Sequence, residues 1–472
     1  MKIFYWILAT CCAVSLQAQD YSLDKKLGAE NAVLVEQEMG LYKHDSLQWL
    51  IHSVGQKLVS RLKSKPFDFH FYLADSEEPN AFALPGGYIY ITRGILPLMQ
   101  TEDELAGVMA HEIIHVMQRH SVKQMQKGVL TGLLKVPGNA LSAVTGTNIG
   151  NVLNAPIELA TGTFMAKYSR GHEKEADDFG IQLAASAGYK TDALADALDR
   201  LSKEVEVLTG EAEKHNYFSD HPYTPSRISN IRSAANLYKP VKSAPVCNSQ
   251  NKFVNTFDGL CFGPNPDQGM FIDSLFIHPN LSFSFIAPSG WVQMNKPTLV
   301  ATYSEAGDAL VGLRMLSDSK TPRAFGEEVK EKLLKAEGVV IQQASDTIVN
   351  SLPAYALRFR SQEKNDTAFV DIVWVNFRDH VYQLVAIANP VQHTAARTSL
   401  YSFKHATVAE RKQVVIHEMK VVSSLKGETL QQVSNRSDNR LVPELLFLFN
   451  NTDSKDKLPQ GKAVKVVVAK PY

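Results

Sequence analysis

HEIIH, His111 to His115, sets two imidazoles four residues apart, with a carboxylate directly after the first. On an α-helix residues at that spacing share a face, so both rings can offer a nitrogen to one ion. The helix itself is specified locally. Thr101-Glu102-Asp103-Glu104 has the pattern of a capping box, Thr101 capping and Glu104 reaching back. A helix is therefore predicted to start there and to carry HEIIH near its middle. Leu105, Val108, Met109, Glu112 and Val116 follow the spacing of a buried stripe. A carboxylate in such a stripe is costly without a partner or a task, which singles out Glu112. Zinc accepts neutral imidazoles in a tetrahedral shell and leaves room for a water. Glu112, turned about 100° from His111, can take a proton from that water without being a ligand. The plain alternative is three polar residues on an ordinary helix.

A catalytic zinc calls for a third protein ligand. The stretch YSRGHEKEADDFG, residues 168–180, offers one, on a helix predicted from His172 to Ala187 with Gly188 as its stop. Glu173 and Asp177 fall on one face of it. Ala176 and Gly180 lie on nearly the same face and are small enough to admit a close neighbour. Glu173 can reach the metal, with Asp177 orienting a ligand histidine from behind. On the residues alone His172 and Glu175 compete with Glu173, and a solvated acidic helix is the plain alternative.

HEIIH followed about sixty residues later by EKEAD resembles the zinc metallopeptidases related to the CAAX prenyl protease. The likeness is greatest to their soluble, exported bacterial branch, which includes proteases that police outer-membrane protein assembly. It covers residues 24–235. The resemblance implies one Zn2+ per chain held by His111, His115 and Glu173, with Glu112 as base and Asp177 in a supporting catalytic role. NAFALPGG, Asn80 to Gly87, matches the family's strand before the active helix, whose edge binds substrate backbone. It implies substrate contacts at Asn80, Ala81, Phe82, Ala83 and Leu84. DHPYTPSRI, Asp220 to Ile228, matches a later motif. It places His221 in the active site, either capping the metal at rest or steadying the oxyanion, and makes Arg227 a holder of that segment. A turn residue before Pro222 is the plain reading of His221. Membrane-bound relatives carry spanning helices between the two zinc motifs and this chain does not, so prenylated substrates are not implied. Protein or peptide substrates are, including unfolded or misassembled envelope proteins.

Composition bounds the rest. The 49 Lys and Arg balance 49 Asp and Glu, and with no long basic run nucleic acid is not an expected partner. MKIFYWILATCCAVSLQAQDYS opens the chain with one Lys, an apolar run and then polarity. That predicts a signal peptide over residues 1–18 and export to the periplasm; the run is short for a bilayer span. Leu8-Ala9-Thr10-Cys11 resembles a lipobox, with Thr10 an unusual residue before the cysteine, so a lipid anchor at Cys11 and peripheral membrane association is the alternative. Cys247 and Cys261 are the candidate disulfide.

The predicted architecture is α+β and multidomain. A mainly helical zincin-type peptidase domain with a small edge sheet spans 20–240, and 241–275 is a linker rich in Asn, Gly and Pro. An α+β sheet domain of unknown role spans 276–411. Residues 412–472 form a small βααβ module that resembles a degenerate LysM, a fold that often binds peptidoglycan. Residues 128–165 are either a mobile cover over a cleft or a loop with short core helices. The expected function is an exported zinc metalloendopeptidase in envelope protein quality control. The alternative is a periplasmic chaperone or assembly factor with latent protease activity.

Overall fold

Apolar residues at three- and four-residue spacing place two helices first, α1 (Ser22–Glu38) and α2 (Asp45–Val59). Alternation then gives β1 (His70–Ala74), β2 (Ala81–Leu84) and β3 (Tyr88–Thr92). The strands lie in the order β1-β3-β2, β1 parallel and β2 antiparallel to β3. Pro85-Gly86-Gly87 turns β2 into β3, and both glycines have positive φ (80° and 108°), a conformation that excludes most other residues. β2 is left as an edge strand. The computed structural model describes residues 20–126, 168–209, 217–222, 225–335, 338–363 and 366–472. The expected signal peptide, Cys11 and the expected cover at 128–165 lie outside the described residues.

Behind the sheet runs α3 (Glu102–Met117), the helix that carries HEIIH. It is buried on every side from Glu104 to Val116, not along a stripe. Apolar side chains buried to that extent each contribute about 1.5–3 kcal/mol, so this helix is a structural axis as well as a carrier of ligands. Thr101 Oγ1 accepts the Glu104 N–H at 3.3 Å, as predicted. The other half of the capping box differs. The Glu104 carboxylate accepts the Gln100 N–H at 2.7 Å and pairs with Arg200, so it does not return to Thr101. Arg119, at φ 56°, reverses the chain into α4 (His120–Gln126). Ser169 caps α5 (Arg170–Ser186), and Gly188 at φ 86° follows its end. Then come α6 (Ala193–Thr209), the single turn α7 (Tyr217–Asp220) and α8 (Pro225–Ala235).

The expected linker is built into the fold. It forms α9 (Gln250–Asn255) and β4 (Cys261–Phe262), with Phe253, Phe257 and Leu260 buried in the same core as α2 and α3. Three short strands, β5 (Met270–Ile272), β6 (Leu275–His278) and β7 (Phe283–Ile286), begin the next part. After them come β8 (Val292–Lys296), β9 (Leu299–Tyr303), β10 (Ala309–Leu316), the helix α10 (Pro322–Leu333), β11 (Val339–Val349), β12 (Leu352–Glu363), β13 (Asp366–Phe377) and β14 (His380–Ala388). The last seven strands make one antiparallel sheet in the order β11-β12-β13-β14-β10-β9-β8. Following α11 (His393–Tyr401), β15 (Lys404–His405) joins the short strands as β15-β7-β6-β5.

The C-terminal stretch runs β16 (Val415–Ser423), α12 (Leu430–Arg436), α13 (Pro443–Asn450) and β17 (Ala463–Pro471), the expected βααβ order. β16 pairs with β17 on one side and with β4 on the other. Its apolar face, including Val433, Leu446, Phe449, Val464 and Val466, merges with the core around α3. Buried Lys465 donates to the carbonyls of Pro97 and Met99 at 2.6 and 2.9 Å. Gln100 Nε2 donates to Phe449 O at 2.8 Å.

The cysteine expectation is corrected. Cys247 and Cys261 are both free and buried, because each is anchored separately. The Cys247 N–H is held by Glu102 at the start of α3 at 2.5 Å. Cys261 lies in β4, its carbonyl accepting from Arg93 at 3.1 Å and its N–H bonded to the Tyr42 hydroxyl at 2.9 Å. Burial pushes both thiols up to about 11, so both stay protonated. No helix among the described residues is long and apolar enough to cross a membrane.

Candidate metal centre

His111 and His115 from α3, Glu173 from α5 and His221 just past α7 bring one donor atom each into a buried cluster 4.8 Å or less across. His111 Nε2 and His115 Nε2 are 2.9 Å apart. Glu173 Oε2 lies 3.6 Å from the first and Oε1 3.4 Å from the second. His221 Nδ1 lies 3.3 Å from His111 Nε2 and 3.1 Å from Glu173 Oε1. Ligands about 2.0–2.1 Å from a tetrahedral zinc sit roughly 3.3 Å from each other. The observed edges scatter around that value, and the donors are those zinc prefers, so the residues fit the ion.

The helices meet because two small residues let them. A Cβ on Gly180 would stand 3.2 Å from His111 N and 3.3 Å from His111 Cα. Ala176 is fully buried at the same contact. Glu173, about two turns before Gly180 on the same face, is thereby carried to the imidazoles. The two competitors are placed elsewhere: Glu175 Oε2 lies 3.2 Å from His120 Nε2, and His172 stacks on His120 with ring centroids 4.3 Å apart.

Each imidazole of the HEIIH stretch has its own support. His111 Nδ1 is 2.9 Å from Asp177 Oδ1. Arg227 forks onto both Asp177 oxygens at 2.9 Å and reaches Glu173 Oε2 at 2.6 Å, tying the two acidic residues together. His115 Nδ1 faces His120 Nδ1 at 3.0 Å. With Nε2 of His115 turned into the donor cluster, its Nδ1–H donates to His120, whose Nε2–H donates to Glu175; this tautomer set is assigned from the bonding pattern. Tyr168 stacks on His115 at 3.8 Å, and Tyr217 stacks on His221 at 4.2 Å. His120 and Tyr168 were missed from the sequence. The signal for His120 was there, a third histidine at the end of HEIIHVMQRH, but only the reversal at Arg119 turns it back.

Burial dominates the electrostatics. It lowers the pKa of His111 and takes His115 well below the ordinary value, which favours the neutral imidazoles a metal binds. Burial would raise Glu173 and Asp177, but positive neighbours outweigh it. His221 and Arg227 hold Glu173 well below the carboxylate range, and Arg227 with His111 lowers Asp177. For Glu112 burial prevails, although His221 and Arg227 pull the other way. Both its oxygens are buried without a hydrogen-bond partner among the described residues, His221 Nε2 lies 3.6 Å from Oε1, and burial pushes the carboxyl up to about 8. For His221 burial lowers the pKa, but Glu112 and Glu173 outweigh it and leave the ring at about 9.

Asn80 precedes β2, and Ala81 to Leu84 are that edge strand, but all five are buried. Pro79 O accepts the Tyr217 N–H at 3.3 Å. Asn80 Nδ2 reaches Asp220 Oδ2 at 3.5 Å, and the Tyr168 hydroxyl is 3.5 Å from Ala83 O. The segment that carries His221 is therefore tied to the strand.

Comparison with known proteins places these features. Residues 46–235 match the model of peptidase family M48. The beta-barrel assembly-enhancing protease of Yersinia pestis is 29% identical over 253 residues, 48% of this chain and 50% of that protein. That of Escherichia coli strain K12 is 31% identical over 204 residues, 40% of this chain and 39% of that protein. The mitochondrial metalloendopeptidase OMA1 of Saccharomyces cerevisiae is 28% identical over 207 residues, 43% and 56% of the two chains. The chain thus spans half or less of the length of the two bacterial proteases. Among solved structures, cyanobacterial PsbP from Synechocystis sp. PCC 6803 aligns with 29% of this chain and 95% of its own at 14% identity and a TM-score of 0.23, too low to bear on the fold.

Proposed function

Because residues 46–235 match the model of peptidase family M48, we propose that this chain is a zinc-dependent endopeptidase acting on protein substrates of the bacterial envelope. The observation that carries the reading is the buried cluster of His111, His115, Glu173 and His221, one donor atom each and all within 4.8 Å of one another, with the Glu112 carboxylate, which has no hydrogen-bond partner among the described residues, beside it. When bound, zinc would lower the pKa of a water and polarise the scissile carbonyl. Glu112 takes up the proton of the attacking water and returns it to the leaving amine. Asp177 keeps the proton on His111 Nδ1, and Arg227 keeps Asp177 and Glu173 in place. Substrate lies extended against Ala81 to Leu84 and is read through main-chain hydrogen bonds, so side-chain specificity is loose. The signal-like leader at Met1–Ala18 supports an exported, periplasmic location, with lipid anchoring at Cys11 as its variant. Peptidoglycan binding by residues 412–472 stands outside this proposal.

One observation favours a second reading. His221 supplies a fourth donor where a water has to sit, 3.3 Å from His111 Nε2, and its segment is tied to β2. A resting state closed by His221 would make the protein a latent protease that also serves as an assembly factor. Zinc content and casein hydrolysis, with and without chelator, test both readings. Glu112→Gln is expected to keep about one zinc per chain and to lose about 10²- to 10⁴-fold in rate. Wild-type hydrolysis by that variant removes Glu112 as the base, and wild-type protein without zinc removes the whole reading. His221→Ala raises basal cleavage if His221 closes the site and lowers it if His221 serves the oxyanion.

A further inference from the structure

The seven-stranded sheet holds a cavity whose lining is remote in sequence from the candidate metal donors and independent of that site. α10 packs on β11, β12 and β13, seating Phe325, Val329 and Leu333 against Tyr355, Leu357 and Trp374. Where the helix ends its cover, a cavity of about 210 Å³ opens between it and β10, β14 and β9. Its apolar walls are Leu299, Leu316, Phe325, Val329, Trp374 and Val385, and Gly312 leaves the floor without a side chain.

The lining also carries three cations, Arg314, Lys320 and Lys332. Arg314 stands opposite Gln383 across the β10–β14 pair and donates from Nε to Gln383 Oε1 at 2.7 Å. Among the described residues no carboxylate pairs with it. Glu328, the acidic residue of the lining, is taken by Lys320 at 2.9 Å and Lys332 at 3.1 Å. Lys320 also pairs with Asp318 at 3.4 Å, outside the lining, so Arg314 is the lining cation without a carboxylate partner among the described residues. Burial pushes the Arg314 guanidinium below its ordinary pKa, and no anionic neighbour offsets the effect. A desolvated cation without an anion costs stability. Its remaining N–H groups form a fork suited to a planar carboxylate.

We propose that this cavity binds a small amphipathic carboxylate, its apolar tail lying between α10 and Trp374 and its carboxyl group on Arg314. Size and charge agree on that class. An apolar cavity of about 150 Å³ already admits benzene, so 210 Å³ takes a ring or a short acyl chain. An uncharged tail alone would leave Arg314 without an anion, and a bare anion would leave the apolar walls wet.

The test is calorimetric titration of the full chain with octanoate, 1-octanol and acetate. One octanoate per chain is expected, with octanol and acetate weaker by about ten-fold or more. Arg314→Met should bring octanoate down to the level of octanol, while Arg314→Lys keeps octanoate ahead. The Arg314→Met thermal midpoint should hold or rise, because the substitution removes a half-buried charge that has no anionic partner among the described residues. A lowered midpoint would mean that Arg314 is structural and would overturn the proposal. So would equal binding of octanoate and octanol, unchanged octanoate affinity in Arg314→Met, or no saturable binding.

Discussion

His120 shows how much of the candidate metal site lies one residue behind its donor side chains. His111 is steadied by a charged pair, Asp177 under Arg227, whereas His115 leans on a neutral ring that in turn leans on Glu175. Both supports fix which nitrogen of a ligand carries the proton, and loss of such a partner weakens metal binding by about 10–100-fold. Asp177→Asn and His120→Ala are each expected to raise the zinc dissociation constant by that factor in competition with a chromogenic chelator. Glu175→Gln, which keeps an acceptor for His120, should change it less. Unaltered zinc affinity in His120→Ala would reduce His120 to packing. The contrast also shows what a sequence can carry at this scale. Helical spacing paired His111 with His115 and Glu173 with Asp177, whereas the choice of Glu173 over His172 and Glu175 came from the resemblance. His120 was not legible, since its direction depends on one left-handed residue, Arg119 at φ 56°.

Elements obey the same division between local and distant causes. β2 formed within Asn80 to Gly87, where the resemblance put a strand, and Thr101 capped α3 as read. Glu104 did not close the box, because Arg200 from α6 claims its carboxylate and no local pattern announces that partner. α3 read as a striped helix and proved buried all round, because neighbours from several parts of the chain enclose it. The contact of α5 with α3 was readable in outline from Ala176 and Gly180. A Cβ at Gly180 would press on the backbone of His111, not on a side chain that can swing away. Gly180→Val should therefore cost about 1–3 kcal/mol of overpacking and displace Glu173 from the imidazoles. Urea unfolding would register the first effect and zinc affinity the second. A variant that loses stability yet holds zinc normally would show that the ligand geometry does not depend on this helix contact.

At the scale of the whole molecule the sequence misjudged where one part ends. The stretch 241–275 looked like a linker from its Asn, Gly and Pro content, which averages over Phe253, Phe257 and Leu260, the residues that bury it. β4 then serves the C-terminal strands, and those strands complete the core around the metal helix. This junction holds a buried acid. Glu204 lines a cavity of about 260 Å³ together with Glu77, Arg93, Cys261, Phe262 and Leu445. Burial alone pushes its carboxyl from 4.5 up to about 8. Unfolded, this residue ionises near 4.5; folded, it keeps its proton to about 8. The native state therefore binds one more proton across that window, and its contribution to stability, whole below pH 4.5, is lost as pH rises toward 8. Glu204→Gln removes the ionisation but keeps the shape. Relative to wild type it should gain roughly 2–5 kcal/mol at pH 8, with the gain vanishing near the ordinary carboxyl pKa. Urea unfolding of both proteins at pH 5 and pH 8 checks this, each pair at one zinc concentration. A difference that does not change with pH would place the ionised form of Glu204 in the folded protein, and the junction would then carry a charge rather than a proton.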